Sequence, residues 1–180
     1  MTAPADTLRD MTAGTTVTAA LEFFDGLPAV TVPAMFGRWA GGEIPTGNPL
    51  DGLLARVGWH GKRFDSAEEA HPLVMDRAGG GTFNLRPGVV PLPWLLGVPA
   101  LLRSRILARG VRAVAPVLGT RAPRARLRPT EYRGVVSATM CYNDLPIHDV
   151  FRRVDDDTVL GVMDLRGMDR PFVFFLCRES

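Results

Sequence analysis

Alternating apolar and polar positions predict β-strands along most of the chain, because successive side chains of a strand point to opposite faces. The predicted strands are 35–44, 59–64, 71–76, 81–86, 124–133, 135–142, 145–153, 157–165 and 171–178, the last of which is apolar up to Arg178. Glycines and acidic or Asn-Asp pairs separate them, as turns require. Short strands at this spacing favour an antiparallel barrel of about eight or more strands, whose interior could hold one small ligand.

Three segments show helical spacing instead. The segment 15–25 begins with Thr15 and Thr16, either of which can cap a helix, and precedes Gly26, which can end one. The segment 49–57 follows Asn48, a good N-cap residue, and ends before Gly58. Between about 99 and 115, apolar residues and arginines alternate with helical period, and we expect this helix to cover the barrel mouth. The predicted class is therefore mainly β (α+β), a barrel with a few short helices.

The same pattern divides the chain into four parts. Residues 1–34 form an N-terminal tail and a short helix. Residues 35–90 hold the first strands and the capped helix, and residues 91–123 form a helical, arginine-rich insertion. Residues 124–178 supply the strands that complete the same barrel. A chain of 180 residues with 46% hydrophobic and 22% charged residues fits one folded domain and argues against disorder.

Charge is unevenly distributed, although the net charge is only +2. The segment 101–130 contains arginines and no acidic residue, whereas Lys62 is the only lysine of the chain, a bias that is typical of a GC-rich coding genome. A solvated helical face explains the basic segment most simply, and contact with an anionic membrane surface is the alternative. Because no aromatic residue lies between these arginines, no nucleic-acid partner is predicted.

The sequence lacks the motifs of several common classes of enzyme. We find no nucleophile elbow, phosphate-binding loop or C-x-x-C pair. The three histidines, His60, His71 and His148, have no metal-ligand spacing, so neither a metal nor a cofactor is predicted. Haem held by a single histidine stays as an alternative. The chain begins without a charged and apolar leader, and no apolar run reaches the roughly 18 residues of a membrane span, so we expect a cytoplasmic protein.

One tryptophan is flanked on its own strand face by two glycines, Gly37-x-Trp39-x-Gly41. The missing side chains allow close packing on both sides of the indole. In the last strand, Arg178 shares a face with apolar residues such as Phe174. If that face is the interior, Arg178 needs a partner, either the face of a tryptophan or backbone carbonyls at the barrel end. The alternative is a solvated chain terminus.

Asp149 raises the main functional question, because it lies between Ile147 and Phe151 on one strand face. If these apolar residues point inward, so does the carboxylate. A carboxylate in an apolar cavity can hold or move a proton, since burial penalises its charged form. By the same alternation, Tyr142, Glu131 and Asp164 of nearby strands could face the interior too. We therefore expect these three residues to bind the ligand together with Asp149 and Phe151. The alternative is that Asp149 pairs with an arginine at the barrel rim.

Two sets of residues resemble known families. The first set consists of Phe36-Gly37-Arg38-Trp39-Ala40-Gly41, Pro45-Thr46-Gly47, Pro49-Leu50-Asp51-Gly52-Leu53-Leu54 and Gly58-Trp59-x-Gly61-Lys62-Arg63-Phe64, and it resembles the bacterial GXWXG domain family. The second consists of Tyr132-Arg133-Gly134-Val135-Val136-Ser137-Ala138, Leu145-Pro146-Ile147, Phe151-Arg152-x-Val154-Asp155 and Leu160-Gly161-x-Met163-Asp164, and it resembles the uncharacterised domain that follows GXWXG domains. Asn48 stands where that family usually has histidine, so no role is assigned to a histidine there.

A looser resemblance covers two strands only. The early G-x-W and the arginine of the last strand are similar to those of lipocalin-like (calycin) barrels, and G-x-W-x-G is similar to the opening of nitrobindins, which bind haem. These resemblances imply a lipocalin-like barrel that closes over an apolar ligand. Fold similarity alone does not fix function.

The leading hypothesis is that the barrel binds a hydrophobic small molecule of lipid, polyketide or terpenoid type. The alternative is an isomerase or cyclase that acts on such a ligand, with Asp149 as acid or base and Tyr142 or His148 assisting. Haem binding is the further alternative. The sequence leaves the oligomeric state and the identity of the ligand open.

Overall fold

The computed structural model describes residues 3–77, 79–89, 110 and 115–180. Within them the strands form one nine-stranded antiparallel sheet. Its strands are β1 (Gly37–Ile44), β2 (Trp59–Phe64), β3 (Ala70–Asp76), β4 (Thr82–Asn84), β5 (Ala125–Tyr132), β6 (Val135–Tyr142), β7 (Ile147–Arg153), β8 (Thr158–Leu165) and β9 (Phe172–Arg178).

The sheet closes into a barrel. Its strand order is β2-β1-β9-β8-β7-β6-β5-β3-β4, and β2 also pairs with β3, so eight strands form a ring and β4 extends it beside β3. Pairing of β1 with β9 joins the first strand to the last, from Trp39 opposite Arg178 to Ile44 opposite Val173. The predicted mainly-β, antiparallel barrel with a few short helices is confirmed.

The helices are short and depart from the sequence prediction at two places. They are α1 (Pro4–Met11), α2 (Val17–Gly26) and α3 (Leu53–Val57), with 3₁₀ turns at Pro33–Met35, Pro87–Val89 and Ala115–Leu118. Helix α2 agrees with the prediction for 15–25, and Thr16 caps it by accepting a hydrogen bond from the Ala19 amide. Helix α1 was not predicted, and it lies within the segment assigned to an N-terminal tail, where it buries Leu8. Most of the helix predicted at about 99–115 lies outside the described residues.

The helix predicted at 49–57 begins only at Leu53, because side chains before it stabilise a turn. The Asn48 side-chain oxygen accepts a hydrogen bond from the Leu50 amide, so it closes a tight turn and does not cap a helix. The Asp51 carboxylate accepts hydrogen bonds from three backbone amides of the same loop, with N···O distances of 2.8–2.9 Å. Gly52 then takes a left-handed conformation, with φ of 74°, which interrupts helical geometry.

Buried side chains form two clusters, one on each face of the sheet. The inner cluster lines the barrel interior and is rich in aromatic residues, including Trp39, Trp59, Phe64, Phe151, Phe172 and Phe174. The outer cluster lies beneath α1 and α2, where Leu8 and Phe24 pack with residues of β7, β8 and β9 such as Val150, Leu160 and Val173. The two N-terminal helices therefore cover one outer face and leave the interior to the inner cluster.

Trp39 and Arg178 occupy one end of the barrel. The Arg178 guanidinium lies 4.2 Å from the Trp39 ring centroid, and its two terminal nitrogens donate to the carbonyls of Ala34 and Phe36 at 2.7 and 2.8 Å. Arg178 therefore has both kinds of partner that the sequence analysis considered, a tryptophan face and backbone carbonyls. A Cβ at Gly37 would lie 3.2 Å from Arg178, so the first motif glycine leaves room for the guanidinium.

A β-bulge at Gly61 changes which side chains of β2 face the interior. The pairing of β2 with β3 shifts register on both sides of Gly61. Strict alternation would place Lys62 on the face opposite Trp59, whereas both are buried, with exposed fractions of 4% and 6%. At the bulge β2 approaches β1 so closely that a Cβ on Gly61 would overlap the Trp39 carbonyl oxygen.

We predict that Gly61→Ala destabilises the barrel, because the added methyl group meets backbone and not a flexible side chain. The expected loss in free energy of unfolding is about 1–3 kcal/mol, the usual cost of overpacking, measured by urea denaturation. Gly26→Ala is the matched control, since nothing lies within 4 Å of a Cβ there. Equal stability of the two variants would contradict the proposed close approach.

Candidate functional site

A cluster of three polar side chains lies inside the barrel, and we call Lys62, Asp149 and Tyr142 the buried cluster. Lys62 Nζ donates to Asp149 Oδ2 at 2.7 Å. The side chains of Lys62 and Asp149 are only 4% and 1% exposed, so this ion pair is shielded from solvent. Charges buried in this way need hydrogen bonds beyond their mutual attraction to offset lost hydration.

Lys62 and Asp149 reach each other across the barrel. In the ring order, β7 lies four strands from β2 in either direction, so the two residues come from opposite walls. Asp149 stands between the inward-facing Ile147 and Phe151, and its direct strand partners are Met140 and Met163. The ion pair is therefore surrounded by apolar side chains.

Further hydrogen bonds satisfy the Lys62 ammonium group. The Tyr142 hydroxyl donates to Asp149 Oδ2 at 3.2 Å, and Lys62 Nζ lies 3.5 Å from the Tyr142 oxygen. Nζ also donates to the Pro72 carbonyl at 3.3 Å. The three ammonium hydrogens thus have three acceptors, which is the number that a buried lysine can use.

Aromatic rings surround the same ammonium group. Lys62 Nζ lies 5.0 Å from the Phe174 ring centroid, 5.5 Å from that of Trp59 and 5.8 Å from that of Tyr142. Aromatic faces attract a cation at these distances, by about 2 kcal/mol when the site is desolvated. The site therefore stabilises a positive charge at Nζ although it excludes water.

Two buried polar atoms near the ion pair lack a hydrogen-bond partner among the described residues, Asp149 Oδ1 and Trp59 Nε1. One is an acceptor and the other a donor. An unsatisfied buried polar group costs about 1–3 kcal/mol, so both atoms favour any molecule that pairs with them.

Burial changes the proton affinities in the buried cluster. Desolvation lowers the pKa of Lys62, and the charge and hydrogen bond of Asp149 oppose this shift. The pKa of Tyr142 is raised well above 10, first by burial and then by the charge and hydrogen bond of Asp149. Burial thus brings the ammonium–carboxylate and amine–carboxylic acid forms of the pair closer in free energy. The chemistry available here is proton transfer between two atoms 2.7 Å apart.

The structure brings only some of the sequence-predicted residues together. Phe151 is fully buried and packs edge-on against Phe64 and Phe174. Glu131 is exposed on β5. His148 and Asp164 are exposed partners on β7 and β8, on the opposite sheet face from Asp149.

The other two histidines also lie away from Asp149. His60 bridges Asp76 and Glu179 at 2.9 and 2.8 Å, and these carboxylates raise its pKa against the effect of burial. His71 is buried beside Asp65, at 3.3 Å. In the described part of the chain, no group of three potential metal ligands occurs.

Sequence reasoning missed Lys62 as a site residue. Alternation with Phe64, a member of the inner cluster, places Lys62 on the inward face, and the bulge at Gly61 lets Trp59 share that face. A further signal was available, since the chain has 21 basic residues and Lys62 is the only lysine among them. Arginine keeps its charge at any pH, whereas a buried lysine can lose its proton, so lysine at this position differs chemically from the other basic residues.

The comparisons with known proteins agree with the residue patterns. The model of the family described as GXWXG protein matches residues 22–80, and that of the Domain of unknown function (DUF4334) matches residues 123–178. A crystal structure of a protein from Thermomonospora curvata is similar over 98% of this chain and 99% of that chain, with 29% identity and a TM-score of 0.73. No curated protein shows significant similarity.

No helix in the described ranges is long and apolar enough to cross a membrane.

We predict that Lys62→Met lowers the free energy of unfolding by about 3–5 kcal/mol, because it leaves the Asp149 carboxylate buried without its cation. The double variant Lys62→Met/Asp149→Leu is expected to regain most of this loss, measured by urea denaturation. Glu68→Gln is the control, since it removes an exposed partner of Arg128 and should cost about 1 kcal/mol or less. A Lys62→Met cost no larger than that of the control would show that the pair is unimportant for stability.

We predict that Tyr142 stays protonated at pH 10, its ordinary pKa, because burial and Asp149 raise the pKa. The chain has two tyrosines, so Tyr132→Phe leaves Tyr142 as the only one, and tyrosinate absorbance in the near ultraviolet reports it. Adding Asp149→Asn should lower the Tyr142 pKa. Since the unfolded chain releases this proton first, the stability that Tyr142 contributes is lost as pH rises above 10. A Tyr142 side chain that is half ionised at pH 10 in the folded protein would contradict the predicted rise of its pKa.

Proposed function

We propose that this chain, which joins a GXWXG domain and a DUF4334 domain in one β-barrel, binds a hydrophobic small molecule inside the barrel. The observation that carries the proposal is the buried cluster among aromatic side chains. A ligand site of this kind combines an apolar lining with a few polar groups that fix orientation. Lipids, polyketides and terpenoids have the matching chemistry.

The apolar part of the ligand would contact the inner cluster. Aromatic side chains such as Trp59, Phe151 and Phe174 offer large contact areas. Binding would be favoured because these rings shield the apolar surface of the ligand from water. Because charged residues of the described interior are already paired with each other, a hydrocarbon ligand meets no isolated charge there.

The polar part of the ligand would pair with the two unsatisfied atoms. Trp59 Nε1 can donate to a carbonyl or hydroxyl oxygen, and Asp149 Oδ1 can accept from a hydroxyl group. An apolar ligand that carries one oxygen therefore suits the site better than a pure hydrocarbon.

The hydrogen-bond chain favours one second candidate, an isomerase or cyclase that acts on such a ligand. Asp149 would serve as acid or base, with Tyr142 at 3.2 Å and Lys62 at 2.7 Å as its proton-exchange partners. His148 has no part in this arrangement, because it lies on the other face of β7. Proton transfer to or from a bound ligand would distinguish this reading from binding alone.

We predict that the protein binds farnesol, a terpenoid alcohol, more tightly than farnesene, the hydrocarbon that lacks its oxygen. Trp59→Phe should abolish this preference, because it keeps an aromatic ring but removes the donor. One hydrogen bond corresponds to about 0.5–1.5 kcal/mol, so farnesol affinity should fall about two- to tenfold while farnesene affinity changes little. Displacement of a fluorescent apolar probe measures both ligands.

Failure of both compounds to displace the probe would overturn the binding proposal. Gas chromatography of the same incubations tests the second candidate. A rearranged product that appears with the natural protein and is lost in Asp149→Asn would support catalysis. Product formation that is unchanged in Asp149→Asn would overturn the role of Asp149 as acid or base.

A further inference from the structure

We infer that Lys62 captures an aldehyde or ketone ligand as an imine, with Asp149 as the counter-ion. This inference rests on the proposed binding of an apolar ligand and names its reactive group. The structure supplies a primary amine, a carboxylate 2.7 Å from it and a hydroxyl group 3.2 Å from that carboxylate, all within an apolar interior.

The amine can become a nucleophile without help from solvent. An ammonium group has no lone pair, so Lys62 must first lose a proton, and Asp149 Oδ2 is its nearest base. In an apolar interior, proton transfer within the pair removes two buried charges at once. The amine is then neutral and lies among the rings of Phe174, Trp59 and Tyr142.

The reaction balances without an oxidant or reductant. The Lys62 nitrogen attacks the carbonyl carbon, the C=O π electrons move to oxygen, and that oxygen takes a proton from the Asp149 carboxylic acid. A proton then leaves the nitrogen and a second proton adds to the hydroxyl group, which departs as water while the C=N bond forms. The products are one imine and one water molecule, and Tyr142 is a proton donor or acceptor along this path.

The site also stabilises the product. A protonated imine carries its positive charge where the ammonium charge was, so the Asp149 carboxylate and the aromatic faces continue to stabilise it. Because Lys62 is 4% exposed, bulk water has little access to hydrolyse the C=N bond.

The identity of the residue gives a second, independent argument. The rest of the chain uses arginine for every basic position other than histidine, and Lys62 alone is lysine. A cation needed only to pair with Asp149 could be arginine, which binds carboxylates with two parallel hydrogen bonds. Imine formation requires a primary amine, and guanidinium does not provide one.

Reductive trapping tests the inference on the full chain. The protein is incubated with farnesal, the aldehyde that corresponds to farnesol, in the presence of cyanoborohydride, and intact mass and peptide masses are measured. We expect one adduct that lacks the aldehyde oxygen, on the β2 peptide that contains Lys62. Since Lys62 is the only lysine, the N-terminal amine is the internal reference, and we expect about tenfold more adduct on Lys62 than on that amine.

Two variants complete the experiment. Lys62→Arg keeps a cation beside Asp149 and should lose the adduct on the β2 peptide while the N-terminal reaction is unchanged. Asp149→Asn should reduce the red-shifted absorbance of the protonated imine, because the counter-ion is gone. An adduct confined to the N-terminal amine, or to a cysteine with the aldehyde oxygen retained, would overturn imine formation at Lys62.

The outcomes separate this inference from the binding proposal. If farnesal and farnesol both displace the apolar probe but no adduct forms at Lys62, imine formation is wrong and ligand binding stands. If neither compound displaces the probe and no adduct forms, both proposals are wrong.

Discussion

The close approach of β2 to β1 at Gly61 determines what the barrel contains. The absence of a side chain there lets the Trp39 carbonyl approach, and the bulge at the same residue lets Trp59 face the interior together with Lys62. Gly41 completes the arrangement, since a Cβ on it would overlap the Trp59 indole. The glycines of these two strands therefore have a common effect. They allow the large Trp59 side chain to share one section of the barrel with Lys62.

The ion pair between opposite walls is costly for a barrel of this size. Two apolar side chains of similar volume at the positions of Lys62 and Asp149 would avoid the desolvation of two charges, and such replacements often increase stability. The structure reduces the cost with Tyr142, the Pro72 carbonyl and three aromatic rings. It leaves Asp149 Oδ1 without a partner among the described residues, however. The proposed role of the pair in ligand recognition rests on this unpaired oxygen.

Local patterns predicted what depends on local geometry and missed what depends on contacts between strands. Strand positions followed from alternation and turns, whereas parity left the orientation of Asp149 open, and the structure places it in the interior beside Phe151, paired with a lysine and not with an arginine at the rim. That Trp59 and Lys62 both face the interior could not be predicted in this way, because the two have opposite parity and a bulge depends on how closely another strand approaches. The late start of α3 has a similar cause, since Asn48 can cap a helix or close a turn with equal local merit. The helix around Leu8 was missed because its burial depends on the outer face of distant strands.

The buried cluster also joins the two segments that the family models match. Lys62 lies within the segment matched by the GXWXG model, whereas Asp149 and Tyr142 lie within the DUF4334 segment. The other end of the barrel has the same division, because Trp39 belongs to the first segment and Arg178 to the second. Each segment alone would bury one unpaired charge or expose one large ring, at a cost that its partner removes. The two segments are therefore complementary parts of a single barrel, and any activity at Lys62 requires both.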